Sequence, residues 1–389
     1  MKRYLVIGCA AAALCTAAGS ASAQTKFNVL IGGDAFFQFG YVDQDKDQGL
    51  RSTEAMNRFR LNITPTAKAD NGLEYGARVR LRASNGNGTI DADRAYIFAE
   101  GQFGRVQAGT DAGASDNYAF IGPVVDWGTF GAADGWWMSY LGPTTGGNIP
   151  LSTQGQLRTL GSSDANTRIT YLTPSFSGLQ LIASYAPVTG PANSNYGSAN
   201  TAVSRAKNTS VGSESRAEGY NDVYEIGAVY TGEFSGVTIE GSAFYSGGQA
   251  KNDVVGLTTT RYEDLSSWQA GLQLGYAGFK VGGSYSNSYD SGYVKVGRSN
   301  STDQETIIAG LQYTTGPIVV GASYTYAQDA GDFDATGKNK LNLYSVGANY
   351  TVAPGLTVGL EYNYFDLNHN VSANDDKGSV VIFDTRVAF

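Results

Sequence analysis

Residues 73–84 read LEYGARVRLRAS. Leu73, Tyr75, Ala77, Val79, Leu81 and Ala83 fall on one side, and Glu74, Gly76, Arg78, Arg80 and Arg82 on the other. Successive side chains of a strand point to opposite faces, so this period of two describes a strand with an apolar face and a strongly basic one. The fold turns on where each face points. A soluble sheet turns its apolar face to a core and its charged face to bulk water, whereas a membrane barrel turns the apolar face to lipid and the polar face to its own lumen.

The same rhythm extends in both directions. Upstream, Val29 to Val42 sets Val29, Ile31, Gly33, Ala35, Phe37, Phe39 and Tyr41 against Gly32, Asp34, Gln38 and Gly40, with Leu30 and Phe36 interrupting. Ala55 to Ala67 sets Asn57, Phe59, Leu61 and Ile63 against Arg58, Arg60, Asn62 and Thr64. Downstream, Ile90 to Glu100 is a strand whose facing stays open, because Tyr96 and Phe98 compete with Ala95, Ile97 and Ala99. Arg105 to Thr110 follows. Eleven further runs read as strands: Asn166–Leu172, Leu179–Ala186, Val223–Thr231, Val237–Gly247, Ser267–Tyr276, Phe279–Ser288, Gln304–Thr314, Ile318–Ala327, Lys340–Thr351, Leu356–Asp366 and Ser379–Phe389. The total is sixteen.

Connections alternate in length. Gly232 to Gly236, Ala277-Gly278, Thr315 to Pro317 and Ala353 to Gly355 are tight turns, while Pro187 to Asp222 and Gly248 to Ser266 are long polar loops. An even set of antiparallel strands with short turns at one end and long loops at the other is a transmembrane β-barrel layout. The second face carries Gly, Ser, Thr, Gln, Asn and Arg, as a wet lumen requires. Aromatics near strand ends on the apolar face, among them Tyr41, Tyr185, Tyr230, Tyr245, Trp268, Tyr276, Phe279, Tyr350 and Tyr362, match interfacial girdles. A large soluble antiparallel β-protein is the alternative.

Met1 to Ala23 reads as a secretory signal: Lys2 and Arg3, an apolar run from Leu5 to Ala18, then Ala21-Ser22-Ala23 before Gln24. Residues 24–389 form one expected barrel domain. Both cysteines, Cys9 and Cys15, lie in the signal, so the mature chain has no thiol chemistry. Removing Lys2 and Arg3 leaves 25 basic against 35 acidic residues, a balance that gives nucleic-acid binding no support. No mature stretch approaches 18 consecutive apolar residues, so no helix is expected to span a membrane.

One segment, Asp111 to Ala165, breaks the rhythm with Gly, aromatics and no sustained period. Loops this long are uncommon in compact domains and are usually functional or disordered. Trp127, Phe130, Trp136, Trp137 and Tyr140 carry apolar surface that favours burial, so an ordered loop folded back onto the scaffold is expected.

The last strand places Val381, Phe383, Thr385, Val387 and Phe389 on one face and ends on Phe389. With Asn166-Thr167-Arg168-Ile169-Thr170-Tyr171 after the long loop and Gly-Thr-Phe-Gly-Ala-Ala-Asp at 128–134, the chain resembles the general bacterial outer-membrane porins. That resemblance implies an all-β, sixteen-stranded antiparallel barrel in the outer membrane, a homotrimer, contact with membrane lipid and lipopolysaccharide, and a third loop folded into the pore. By position, Asp111 to Ala165 is that loop, although it is longer than is usual. Asn85 to Thr89 is short for the loop that latches onto a neighbouring subunit. The function implied is passive diffusion of small hydrophilic solutes and ions. A substrate-specific channel for sugars or anions, and an adhesin or receptor acting through Pro187 to Asp222, are the alternatives.

Selectivity in a pore rests on width and on charges held across a confined space. The expected pore-lining set is Arg58, Arg60, Arg78, Arg80, Arg82, Arg105 and Arg168, faced by Asp111, Asp116, Asp126 and Asp134 of the loop. The competing reading pairs these arginines with Glu74 and the loop acids for stability alone. The loop aromatics either form a slide for sugars or pin the loop to the wall, and pinning is the more usual role. Asp43, Asp45, Asp47 and Glu54 stand at positions 1, 3, 5 and 12 of a calcium-type loop, but Gly49 falls at position 7 where the motif needs 6, so a solvated acidic loop is the simpler reading. No cofactor is otherwise expected. No nucleophile or phosphate-loop motif is present and His369 is the only histidine, so an enzyme is not expected.

Overall fold

Ser177-Gly178, Ser235-Gly236 and Ala277-Gly278 each place two successive residues at positive φ, between 49° and 89°. That is the geometry of a tight type I′ hairpin, whose twist matches the strands it joins and which needs glycine at its second position. These turns close one end of the molecule. The computed structural model describes residues 26–47, 49–84, 90–120, 122–123, 136–142, 145, 149–150, 166–189, 220–250, 262–295, 299–300 and 302–389.

All sixteen expected strands form: β1 Asn28–Gln44, β2 Thr53–Lys68, β3 Glu74–Ser84, β4 Asp91–Gly101, β5 Gly104–Asp111, β6 Asn166–Leu172, β7 Leu179–Val188 and β8 Tyr220–Phe234. The second half comprises β9 Val237–Ala250, β10 Leu265–Tyr276, β11 Phe279–Asn287, β12 Glu305–Thr315, β13 Ile318–Asp329, β14 Asn339–Ala353, β15 Leu356–Asn368 and β16 Asp376–Ala388. Each pairs antiparallel with its sequence neighbours, and β1 pairs with β16, closing the barrel and leaving no strand edge. The seam continues to the last residue, where the Gly33 N–H donates to the Phe389 carbonyl at 2.7 Å and the Phe389 N–H to the Gly33 carbonyl at 3.0 Å.

The apolar face points outward. Along β1, Phe37, Phe39 and Tyr41 are exposed while Phe36, Gln38 and Val42 are buried. Exposed Leu272, Leu311, Val346, Leu360 and Phe383 continue the outer band. Tyr324, Tyr344 and Tyr364 stack across β13, β14 and β15 with ring centroids 5.0 and 6.3 Å apart. Inside lie Ser242, Gln269, Thr306, Ser345 and Asn363, all buried. A soluble sheet would reverse this dressing, so the soluble alternative fails.

The undecided strand, β4, owes its ambiguity to a bulge. The register slips between Arg80 and Leu81, so Arg82 opposes Asp91 while Arg80 opposes Arg94. One extra residue changes which side chains face inward, bringing Asp91, Asp93 and Arg94 together on the luminal side. Beyond the bulge Tyr96 and Phe98 are buried inside and Ile97 is exposed outside.

Candidate functional site

The inner wall of β2 and β3 carries the basic ladder. Arg60 opposes Arg82, and Asn62 opposes Arg80, in direct cross-strand register. Like charges so placed repel, and carboxylates on adjacent strands offset them. Arg58, buried, contacts Asp34 at 3.0 Å and lies 4.8 Å over the Phe36 ring, which explains that apolar interruption on the inner face of β1. Arg80 grips Asp93 with two bonds of 2.6 and 2.7 Å. Arg82 reaches Asp91 at 3.0 Å and Asp93 at 3.3 Å. These partners belong to the wall. Among the described residues the wall thus carries both signs.

Two guanidiniums stand apart. Among the described residues Arg60 has no hydrogen-bond or ion-pair partner, and Arg78 bonds only the neutral Asn62 side chain, at 2.9 Å. Both are half-buried.

The expected loop acid Asp111 sits at the end of β5 and does meet an arginine, Arg94, at 2.9 Å. Arg168 donates from Nε to the Asp111 carbonyl at 3.1 Å and pairs with Glu225 at 3.0 Å, with 1% and 0% of the two side chains exposed. Glu225 also accepts from the Ser115 N–H at 2.9 Å and the Ser115 hydroxyl at 3.1 Å. Ser115 belongs to a single helical turn, α1, Ala114–Tyr118, which carries Asp116 and is held against the inner face of β7, β8 and β9. Arg105 pairs with Glu100 at 3.0 Å and lies 4.1 Å over Phe98, at the short-turn end of the wall. Asp126, Asp134, Trp127 and Phe130 lie outside the described residues, as do Asn85 to Thr89.

After α1 the chain runs backbone-first along the wall. Phe120 donates its N–H to Ser242 Oγ at 2.8 Å, and its carbonyl accepts from Gln269 Nε2 at 3.2 Å. A methyl group on Gly271 would drive into the Phe120 carbonyl oxygen, and one on Gly310 into that of Pro123. Gly282 opposes Gly310 in register, and Gly122 rests against the Gly282–Gly283 backbone. Glycines on the inner faces of β10, β11 and β12 thus form a rail on which Phe120, Gly122 and Pro123 lie flush.

The other side of the loop is held by apolar packing. Trp137 is 1% exposed and its ring lies 5.6 Å from that of Phe365. Trp137, Tyr140, Leu141 and Ile149 join Phe36, Leu343, Phe365 and Ile382 in one cluster inside the barrel. Tyr140 donates to Gln38 at 3.2 Å, and its ring occupies the space a side chain at Gly40 would need. Burial, reinforced by the facing carboxylates of Asp384, Glu54 and Glu361, pushes the Tyr140 phenol up, so it stays a donor. Trp137 and Tyr140 thus pack the loop against the wall; the side chains of Trp127, Phe130 and Trp136 lie outside the described residues.

Glu54 pairs with Arg51 at 2.7 Å, Asp47 caps the Gly49 N–H at 2.9 Å, and Asp45 faces Lys377 at 3.8 Å. Among the described residues no three His, Cys, Asp or Glu side chains cluster as metal ligands. His369 accepts the Val371 N–H at Nδ1, a turn-forming contact. Four residues outside the expected set, Asp91, Asp93, Arg94 and Glu225, carry much of the wall's charge. The bulge conceals the first three. The inward face of β8 is readable from its alternation, but a lone Glu there gives no hint of Arg168.

A family model described as Gram-negative porin matches residues 10–370. An uncharacterised protein of Rickettsia conorii is 23% identical over 454 aligned positions covering 100% of both chains. Another, from Rickettsia prowazekii, is 24% identical over 411 positions, 91% of each. Among solved structures, in-vitro folded OmpT, an outer membrane protein of Vibrio cholerae in a trimer form, superposes with a TM-score of 0.60 at 14% identity, covering 93% of this chain and 99% of that one. A substituted porin of Rh. blastica gives 0.52 at 18% identity, covering 93% and 100%. At such identities the structural likeness speaks for the fold.

Proposed function

The chain belongs to the Gram-negative porin family and is an outer-membrane barrel, and on that premise we propose that it is a water-filled channel for passive diffusion of small hydrophilic solutes and ions. The observation that carries the reading is the inverted dressing of a closed barrel, with an apolar outer band and a polar, charged inner wall. Residues 112–120, 122–123 and 136–142 narrow that interior from two sides, and the half-buried Arg60, Arg78, Arg80 and Arg82 line what they leave open. Asp126 and Asp134 are proposed to complete the charge pattern from the loop. No catalytic role is assigned. A homotrimer in contact with lipid and lipopolysaccharide is the proposed assembly, supported by the trimer form of the Vibrio cholerae relative.

Liposome swelling tests the proposal. Entry rates of neutral sugars should fall smoothly with size and rise linearly with concentration. Barrels that admit no sugar of any size would refute it. The two guanidiniums without carboxylate partners among the described residues favour one second reading, an anion-preferring channel, and saturable uptake of an anionic solute would be its sign.

A further inference from the structure

At the short-turn end of the lumen, a recess of about 480 Å³ opens on the inner wall between β3 and β7. It lies beside the Gly101–Gly104 and Thr173–Ser175 turns, with Tyr118 of α1 on its border. Three charged side chains line it: Arg78, Arg105 and Glu100. Glu100 pairs with Arg105 at 3.0 Å, and Arg105 Nε donates to Gln107 Oε1 at 2.8 Å. Arg78 is different, since its one partner among the described residues is the neutral Asn62 amide and its buried Nε has none. An arginine carries five N–H donors in a planar fork suited to a carboxylate. Among the described residues its charge has no carboxylate partner, and the lining, with Arg78, Arg105 and Glu100, carries a net single positive charge.

The rest of the lining is equally specific. Gln180 donates to the Thr173 carbonyl at 2.8 Å, which leaves its own amide oxygen to accept from within the recess. Tyr96 stands opposite Arg78 in the β3–β4 register, and burial beside Asp111 pushes the Tyr118 phenol up to about 12, so that phenol remains a donor. Leu172 and Pro174 add an apolar side. A concave site of several hundred Å³, mainly polar and with one unneutralised guanidinium, suits a small organic solute better than a bare inorganic ion.

We propose that this recess is a binding station for a hydroxylated monocarboxylate of sugar-acid size. The carboxylate pairs with Arg78 beside Arg105, and the hydroxyls meet Gln180, Tyr96 and Tyr118. A single negative charge matches the lining, whereas a dianion leaves one charge uncompensated next to Glu100. The inference rests on the channel reading and adds a substrate class to it.

The test is the current through the full-length mature protein in a planar bilayer in potassium chloride, titrated with gluconate, succinate or inorganic phosphate at pH 8. The chloride current alone reports on the channel, so the two readings fail separately. Gluconate should block saturably, at concentrations at least fivefold below succinate or phosphate, and more strongly from the short-turn side. Arg78→Gln should raise the half-blocking concentration about tenfold, and Arg78→Lys should restore part of the loss. Conducting wild-type channels that show no saturable gluconate block overturn the proposal, whatever the variants do. So does phosphate or succinate blocking as well as gluconate, or a block that Arg78→Gln leaves unchanged.

Discussion

Replacing Glu225 by glutamine tests how the loop is held. Glu225 and Arg168 are 0% and 1% exposed at their side chains and 3.0 Å apart, and Glu225 also receives both donors of Ser115. Removing one partner of a buried ion pair costs about 3–5 kcal/mol, since the other charge is left uncompensated. Arg168 keeps its bond to the Asp111 carbonyl, so the lower end, about 3 kcal/mol, applies. At roughly tenfold per 1.4 kcal/mol, the ratio of docked to detached α1 falls by about a hundredfold. Hydrogen exchange read by mass spectrometry reports this locally. Amides of residues 113–120 should lose about two orders of magnitude of protection, while β12 to β15 stay unchanged. Protection within threefold of wild type would show that the pair does not anchor the loop.

Gly310→Val and Gly271→Val should displace Phe120, Gly122 and Pro123 from the wall and change single-channel conductance markedly, whereas Gly241→Ala, where an added methyl meets only ordinary contacts, should not. Trp137→Ala empties the apolar cluster under the far side of the loop and should destabilise the folded barrel by about 3–5 kcal/mol, read as a lower denaturant midpoint. Arg60→Gln removes a guanidinium that has no partner among the described residues. A unit charge at contact distance in water is worth about 1 kcal/mol, so the cation-to-anion permeability ratio from reversal potentials should rise by up to about fivefold.

Much of the fold is legible in the amino-acid sequence. Every strand appears in the alternation, because a wall with lipid on one side and a polar lumen on the other imposes period two on each crossing. Leu73 to Ser84 alone states the rule. Legibility fails where one residue breaks that period. The bulge at Arg80/Leu81 turns Asp91, Asp93 and Arg94 to one side and hides the partners of the arginine ladder. Phe36 breaks the alternation of β1 for a reason no local pattern states: it is the ring beneath Arg58. The glycines at 271, 282 and 310 are unreadable for another reason. Their role is set by a loop some 150 residues away in sequence, and nothing local distinguishes them from glycines in any strand.

Single-channel conductance of the refolded mature protein under a potassium chloride gradient tests the central claim most directly. A wet lumen partly narrowed by its own loop predicts discrete ohmic steps, arriving in threes for a trimer, with a finite reversal potential. A barrel that is fully folded by its heat-dependent migration on gels, yet passes no current, would contradict it.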